Sequence, residues 1–303
     1  MSFLDTLCEM LVILFAIVLG YAANRMGILG GETDQRISKL LLRITMPAMI
    51  LAAVITGEAL PGLAEVLSIL KVGVVFYVME ALFMLAVPRL MRGTPGEKGV
   101  WRFTMMFPNV GFIGYPVAVA LFGPEALFYA VVLALPFNLM AFTMGPLLLV
   151  GARRFRLRQM FSPCVVASLL ALLLALSGLR PPALLGEMLD FVGGITVPLS
   201  LLLVGSLLAG LPVGQVFASP KLWLLSVVRL LVMPAALWLI LRGMDAGYLV
   251  MGVAISQMAM PVAVNGSMLC MEYGGDAESM ARITFLTTLA SIVTIPLVAV
   301  LLL

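Results

Sequence analysis

The sequence predicts an all-α integral membrane protein of ten transmembrane helices, arranged as two inverted repeats of five, with the fourth and ninth helices broken near their centres. Three observations predict this class. Of the 303 residues, 63% are hydrophobic and 11% are charged, whereas a soluble domain carries about 25% charged residues. The apolar residues form runs that are long enough to cross a bilayer. Several short motifs also recur at nearly one offset along the chain.

The apolar runs are separated by clusters of charged residues, glycine and proline. A crossing needs about 20 mostly apolar residues, and ten runs meet that length. They lie at 4–24, 40–60, 66–88, 100–122, 126–150, 161–179, 190–210, 222–241, 247–270 and 283–302. The first run carries Asp5 and Glu9 where a secretory signal peptide would carry lysine or arginine, which favours a retained span.

The distribution of lysine and arginine predicts the orientation, because cytoplasmic loops carry an excess of these residues. With both termini outside, the inner loops and flanks hold Arg25, Arg36, Lys39, Arg43, Arg89, Arg92, Lys98, Arg102, Arg153, Arg154, Arg156, Arg158, Lys221 and Arg282. The outer side then holds only Lys71, Arg180 and Arg242. We therefore expect a multi-pass protein of a bacterial inner membrane with both termini periplasmic. The basic run 153–158 is either a cytoplasmic anchor or a binding site for anionic membrane lipids.

That basic loop divides the chain into a first repeat, 1–152, and a second repeat, 159–303. The motif Ile44–Pro47 (ITMP) returns as Ile195–Pro198 (ITVP), 151 residues later. Because each half has five predicted spans, the second half must enter the membrane from the opposite side. Inverted repeats of this kind are typical of secondary transporters, whose sites lie between the repeats.

The fourth and ninth spans contain the residues that break helices. Pro108–Pro116 holds two prolines and two glycines in nine residues, and Met260–Ser267 combines proline, asparagine and glycine. These segments are either unwound or simple kinks and packing points. A half-helix that begins inside the membrane directs free N–H groups and a positive dipole at an anion. Asn109 and Asn265 would bind a carboxylate there or satisfy the unwound carbonyl groups.

Glu80 and Arg229 stand out among the ionisable residues inside predicted spans, because a charge at membrane depth is costly and usually functional. Each lies about 12 Å from the cytoplasmic end of its span, at ~1.5 Å per residue, so the two side chains are expected to pair. The pair is either a structural salt bridge or part of a proton relay. A sodium site would instead use backbone carbonyls with Asn109, Gln257 and Asn265. Asn138 either faces the cavity or packs between helices.

Composition excludes several other functions. The chain has no histidine and three separated cysteines, which argues against triad catalysis, metal sites and a disulfide framework. No phosphate-binding Gly-rich loop with Lys occurs, so no ATP motor is expected. We expect no cofactor, no metal, no nucleic-acid partner and no enzymatic activity, and a homodimer is left open. The competing classes are an anion channel and a membrane-embedded enzyme.

Several motifs resemble those of the auxin efflux carrier family, which includes bacterial members. They are Pro108–Asn109 with Gly114 and Pro116, Ala259–Asn265, Glu272–Glu278 and Thr294–Pro296. The resemblance implies a fold similar to the bile acid sodium symporters, with a scaffold domain and a transport domain each built from both repeats. It also implies elevator-type alternating access for small organic anions, mono- or dicarboxylates.

The candidate residues fall into two groups. The substrate-binding candidates are Asn109, Gly111, Pro116, Asn138, Pro261, Asn265 and Gly266, of which Asn109, Pro116, Pro261, Asn265 and Gly266 are implied by the resemblance. The candidates for coupling to H⁺ or Na⁺ are Glu80, Gln257 and Arg229.

Overall fold

The structure is a computed structural model that describes residues 3–56, 63–141, 144–151, 163–179, 181–210, 217 and 219–302. Within these ranges the regular elements are helices, apart from one isolated pairing of extended residues. The prediction of an all-α chain is therefore confirmed. The basic run 153–158 lies outside the described residues.

Sixteen α-helices follow one another in the described chain. In order, α1 to α16 are Phe3–Arg25, Gly31–Leu40, Met46–Ile55, Leu63–Leu90, Pro95–Met106, Tyr115–Phe122, Ala126–Ala141, Met144–Val150, Pro163–Ser177, Ala183–Gly193, Thr196–Ala209, Pro220–Val227, Met233–Leu241, Tyr248–Met258, Asn265–Tyr273 and Ala277–Leu302. Three wide turns of π type, Leu41–Thr45, Val110–Gly114 and Val228–Val232, lead directly into α3, α6 and α13.

Each wide turn ends two residues before a proline. The prolines are Pro47, Pro116 and Pro234, each near the start of the following α-helix. A proline has no N–H, and its ring collides with the carbonyl four residues earlier. Local widening of the helix relieves that collision and keeps the helix continuous, which explains why these prolines do not end the helical runs.

Five helical stretches are long and apolar enough to cross a membrane. They are Gly31–Ile55, Leu63–Leu90, Ala183–Ala209, Pro220–Leu241 and Ala277–Leu302. Shorter apolar helices, at Leu11–Arg25, Val110–Phe122, Ala126–Phe137, Pro163–Ser177 and Tyr248–Met258, overlap the other five predicted spans. Several candidate spans are thus confirmed, whereas ten crossings in two inverted repeats remain a prediction.

The chain forms two compact units, each of which takes segments from both halves of the sequence. The first unit contains Met1–Leu70, Gly111–Asn138 and Leu157–Gly210. Its main packing joins α1 to α11 and α3 to α10. The α1 and α11 backbones touch at Gly20 and Gly205, where any side chain would overlap the facing helix. These two glycines therefore allow the backbones of α1 and α11 to come into direct contact.

The second unit contains Lys71–Val110, Leu139–Arg156 and Leu211–Leu303. In this unit α5 packs on α8, and α16 contacts α12, α14 and α15. The start of α5 is capped by Thr94, whose hydroxyl accepts the Glu97 N–H at 3.2 Å while the Glu97 carboxylate accepts the Thr94 N–H at 2.7 Å. This reciprocal capping fixes where the helix leading to Met106 begins.

Candidate substrate and ion site

Two helical runs are interrupted near their predicted centres. Helix α5 ends at Met106 and helical structure resumes at Val110, while α14 ends at Met258 and α15 begins at Asn265. The residues between them, 107–109 and 259–264, are not helical. Pro108 and Pro261 lie inside these intervals, where a missing N–H costs no helical hydrogen bond.

The first non-helical interval, 107–109, is shorter than the predicted segment Pro108–Pro116. The second, 259–264, ends before the predicted segment Met260–Ser267 does. Gly111 and Pro116 fall in helical structure, because the wide turn Val110–Gly114 contains Gly111 and accommodates Pro116 without ending the helical run. Asn265 and Gly266 lie in the first turn of α15. The interruptions therefore do not extend over the whole of Pro108–Pro116 and Met260–Ser267, and the part that these four residues play in substrate binding stays a prediction.

The two interrupted segments pair with each other through their backbones. Pro108 and Val262 form an antiparallel bridge. The Asn109 N–H donates to the Pro261 carbonyl at 2.7 Å, and the Ala263 N–H donates to the Phe107 carbonyl at 2.9 Å. Because buried peptide groups outside helices must find partners, this pairing explains how two non-helical segments persist in an apolar interior.

Thr287 supports the same pairing from α16. Its hydroxyl accepts the Val262 N–H at 3.3 Å and donates to the Ile283 carbonyl at 2.7 Å. The side chain is fully buried. The crossed segments are therefore attached to a continuous helix as well as to each other.

Arg229 binds the ends of both helices that lead into the crossed segments. Its Nη1 donates to the Met105 carbonyl at 3.1 Å, and its Nε donates to the Met260 carbonyl at 3.2 Å. Met105 is in the last turn of α5, and Met260 lies just beyond the end of α14. A cation at helix C-termini is favourable, because the exposed carbonyl groups carry partial negative charge.

Glu80 supplies the opposite charge. Arg229 Nη1 lies 3.3 Å from Glu80 Oε1, and both side chains are fully buried. The predicted pairing of these residues is confirmed. Glu80 Oε2 and Arg229 Nη2 have no hydrogen-bond partner among the described residues, so the pair retains one acceptor and one donor. Its role in coupling to an ion or a proton remains a prediction.

The other candidate residues differ in their surroundings. The Asn109 side chain is buried, and the buried Oδ1 of Asn265 has no hydrogen-bond partner among the described residues. Gln257 is fully buried in the last turn of α14. Gly266 faces Met280 and Phe103 so closely that a side chain would overlap them, which is a packing contact. Asn138 belongs to α7, but its side chain lies outside the described residues.

The structure also shows a buried carboxylate that the sequence analysis missed. Asp34, in α2 of the first unit, is 5% exposed. Its Oδ1 accepts the Gly30 N–H at 2.8 Å, and Ser206 Oγ lies 2.8 and 2.7 Å from its two oxygens. Asn24 Nδ2 donates to Ser206 Oγ at 2.9 Å. An acidic residue beside loop lysines and arginines gave no signal for burial.

These features indicate the class of protein to which the chain belongs. Long apolar helices, a buried ion pair and non-helical backbone held inside the protein are the properties of a multi-pass membrane protein. A family model described as "Membrane transport protein" matches residues 5–154 and 147–299. The chain therefore belongs to this family of membrane transporters, and its resemblance to the auxin efflux carrier family is confirmed.

Individual relatives agree with that assignment. An "Uncharacterized transporter" of Methanothermobacter thermautotrophicus is 27% identical over 313 residues and covers 100% of both chains. A second "Uncharacterized transporter", from Methanocaldococcus jannaschii, is 24% identical and covers 95% of this chain and 96% of its own. A "Putative malonate transporter" of Rhizobium meliloti is 23% identical and covers 92% and 90%. The family and these relatives are transporters and not enzymes, as the sequence predicts.

Proposed function

We propose that this protein is a secondary active transporter of small organic anions, mono- or dicarboxylates. The observation that carries the proposal is the backbone pairing of 107–109 with 261–263. Next to this pairing, Arg229 binds the carbonyl ends of the two helices that lead into it. Arg229 is therefore bound at the negative ends of α5 and α14. The helical runs that begin at Val110 and Asn265 direct their positive dipole ends towards the crossing. An organic anion is the ligand that such ends favour.

Asn109 and Asn265 are the side chains that we expect to bind the carboxylate. Asn109 precedes the helical run to Phe122, and Asn265 is the first residue of α15. Each side-chain amide can donate hydrogen bonds to a carboxylate oxygen. Gly111, Pro116 and Pro261 are proposed to shape the backbone around the anion, and Asn138 is proposed to line its path.

We propose a dicarboxylate such as malonate as the first substrate to test, on the basis of the similarity to the Rhizobium meliloti protein. The transport cycle would be elevator-type alternating access in which two inverted repeats each form half of a crossing. Two further observations support this architecture: the motif shared by Ile44–Pro47 and Ile195–Pro198, and the composition of each compact unit from both halves. The cycle would run in the inner membrane with both termini periplasmic, driven by H⁺ or Na⁺ through Glu80, Arg229 or Gln257.

Binding by purified protein tests the proposed substrate class. Malonate should raise the thermal transition of the wild-type protein more than an uncharged diamide of the same length, because only the acid uses the positive helix ends. The comparison should be made with and without sodium and at two pH values, since either ion would change the shift if it is coupled. An equal response to the diamide would contradict an anion site.

Variants of the two asparagines test the proposed site. Asn109→Ala and Asn265→Ala should each weaken malonate binding about tenfold or more, because a hydrogen bond to a charged group is worth roughly 1.5–3 kcal/mol. Asn24→Ala is the matched control, since Asn24 bonds to Ser206 in the first unit. That control should lower thermal stability without changing affinity. Wild-type affinity in both site variants would refute the assignment.

Flux and topology can be measured separately. Uptake of labelled malonate into proteoliposomes should saturate and show counterflow, whereas a channel would conduct large currents. A cysteine placed at Arg156 should resist an impermeant thiol reagent in intact cells, because the basic loop is predicted to be cytoplasmic. Labelling of that cysteine from outside would reverse the proposed orientation.

A further inference from the structure

The buried pair of Glu80 and Arg229 has an incomplete set of hydrogen bonds. Both side chains are fully buried, and Arg229 Nη1 lies 3.3 Å from Glu80 Oε1. Glu80 Oε2 and Arg229 Nη2 have no hydrogen-bond partner among the described residues. A buried carboxylate oxygen without a donor is unfavourable in a folded protein. This cost points to a ligand that Oε2 binds while the protein works.

The surroundings of Oε2 distinguish the two cations that could bind there, Na⁺ and H⁺. Backbone carbonyls are the usual ligands of a transporter sodium site, but the Met105 and Met260 carbonyls already accept hydrogen bonds from Arg229, at 3.1 and 3.2 Å. The guanidinium also repels a second cation at this short range. A proton needs one acceptor atom and no coordination shell, and Oε2 supplies that atom.

Arg229 is the cation in contact with Glu80 among the described residues. The helices around the pair carry other titratable side chains, all of them half-buried or exposed. They are Glu65, Lys71, Tyr77 and Arg89 on α4, Glu97, Lys98 and Arg102 on α5, Lys221 on α12, Tyr248 on α14, and Glu278 and Arg282 on α16. Of these, Lys221 lies 3.8 Å from Glu97, and Arg282 pairs with Glu278. Glu80 is thus the carboxylate that balances the charge of Arg229 at close range.

A change of charge at Glu80 reaches the crossed segments through Arg229. The guanidinium binds the Met260 carbonyl, and the next residue, Pro261, accepts the Asn109 N–H at 2.7 Å. The nine-residue helix α15 begins at Asn265, and its first N–H groups carry partial positive charge. All of these residues belong to the second unit. An anion at this place would lie near a neutral ion pair while Glu80 is ionised, and near a net cation once Glu80 is protonated.

We propose that Glu80 Oε2 is the proton-binding site of the transporter, and that its protonation strengthens binding of the organic anion by leaving the charge of Arg229 uncompensated. This inference rests on the proposed function and extends it, because it selects H⁺ over Na⁺ as the coupling ion and assigns the proton to one atom. The proton comes from water when the site is open and returns to water after the anion leaves. Because linkage is reciprocal, a bound anion also strengthens proton binding.

Proton uptake on anion binding tests the proposal. Calorimetric titration of the full-length purified protein with malonate, in two buffers of different ionisation enthalpy, counts the protons taken up. At a pH where free malonate is fully ionised, the wild-type protein should take up a measurable fraction of a proton per malonate, up to about one. Glu80→Gln keeps the side-chain shape without the charge, so it should take up none and should bind malonate on the order of tenfold more tightly.

Glu278→Gln is the matched control, because Glu278 is an exposed carboxylate that pairs with Arg282. It should keep wild-type proton uptake and wild-type affinity. Malonate binding by the wild-type protein without proton uptake, as expected if Oε2 binds only a water molecule, would overturn the proton site. That measurement needs no variant, so it decides the matter even if Glu80→Gln folds poorly. Undiminished proton uptake in a folded Glu80→Gln protein would overturn the site as well.

The same measurements separate this inference from the proposed function. If malonate binds without proton uptake, while Asn109→Ala and Asn265→Ala weaken its binding, the proposed function stands and only the proton site fails. If the wild-type protein binds neither malonate nor acetate, both proposals fail.

Discussion

Two buried carboxylates, one in each unit, are held in opposite ways. Asp34 receives its hydrogen bonds from neutral groups, the Gly30 N–H and the Ser206 hydroxyl, and both of its oxygens are in contact with a donor. Glu80 contacts Arg229 through one oxygen at 3.3 Å, and its second oxygen has no hydrogen-bond partner among the described residues. Asp34 thus has a hydrogen-bond donor at each of its oxygens, whereas Glu80 has a contact at only one.

This contrast separates a carboxylate that is hydrogen-bonded at both oxygens from one that can still accept a further donor. A carboxylate that is stabilised by several fixed dipoles gains nothing from a further ligand. Among the described residues the Glu80 carboxylate contacts Arg229 alone, and removal of that partner leaves an uncompensated charge. We therefore propose that Glu80 and Arg229, rather than Asp34, respond to a proton or an ion during transport.

The largest expected effect comes from breaking the charged pair. Glu80→Gln or Arg229→Met alone should lower the free energy of unfolding by about 3–5 kcal/mol, because each leaves a buried charge unpaired. The double variant Glu80→Gln with Arg229→Met should recover part of this loss. Thermal unfolding of all four proteins in one detergent measures the coupling energy. Strictly additive losses would show that the pair carries no energetic coupling.

A smaller loss is expected at the saturated carboxylate. Ser206→Ala removes the hydroxyl that joins Asp34 to Asn24, and should cost about 1–3 kcal/mol of stability. Malonate affinity should not change, because no proposed ligand is removed. Ser177→Ala, at an exposed serine whose hydroxyl donates to the Leu174 carbonyl and accepts the Leu179 N–H, serves as the control and should change stability by less than about 0.5 kcal/mol. Loss of affinity in Ser206→Ala would mean that Asp34 is also part of the transport machinery.

Replacement of Thr287, which supports the crossed segments, should lower stability by a smaller amount. Thr287→Val removes the acceptor of the Val262 N–H together with the bond to Ile283, for a cost of about 1 kcal/mol. Thr284→Val loses only its bond to Met280. The difference in melting temperature between these variants isolates the Val262 bond, and equal values would indicate that Thr287 does not hold the crossing.

The smallest effect belongs to an exposed pair. Arg36 and Glu32 lie 2.7 Å apart on α2, with side chains 75% and 76% exposed. Arg36→Ala should change stability by less than about 0.5 kcal/mol, because solvent and salt screen such pairs. A loss as large as that of Ser206→Ala would contradict the distinction between exposed and buried charge.

How far the sequence could predict these features depends on their chemistry. Pro108 and Pro261 marked the interruptions because proline acts on its own helix, and two opposite charges in apolar spans marked Glu80 and Arg229 as partners. The bounds of the interruptions could not be derived, since Pro116 is accommodated by a wide turn. The bonds from Arg229 to the Met105 and Met260 carbonyls could not be predicted either, because every residue has a backbone carbonyl and the residue type does not indicate which one accepts a bond.

Backbone pairing at the crossing determines how freely its side chains can vary in evolution. The bonds between Asn109 and Pro261 and between Ala263 and Phe107 join peptide groups only. Replacement of the side chains at these positions leaves those donors and acceptors in place, except where a proline would remove an N–H. The side chains of the crossed segments can therefore vary in evolution while the backbone bonds that hold the crossing are inherited unchanged.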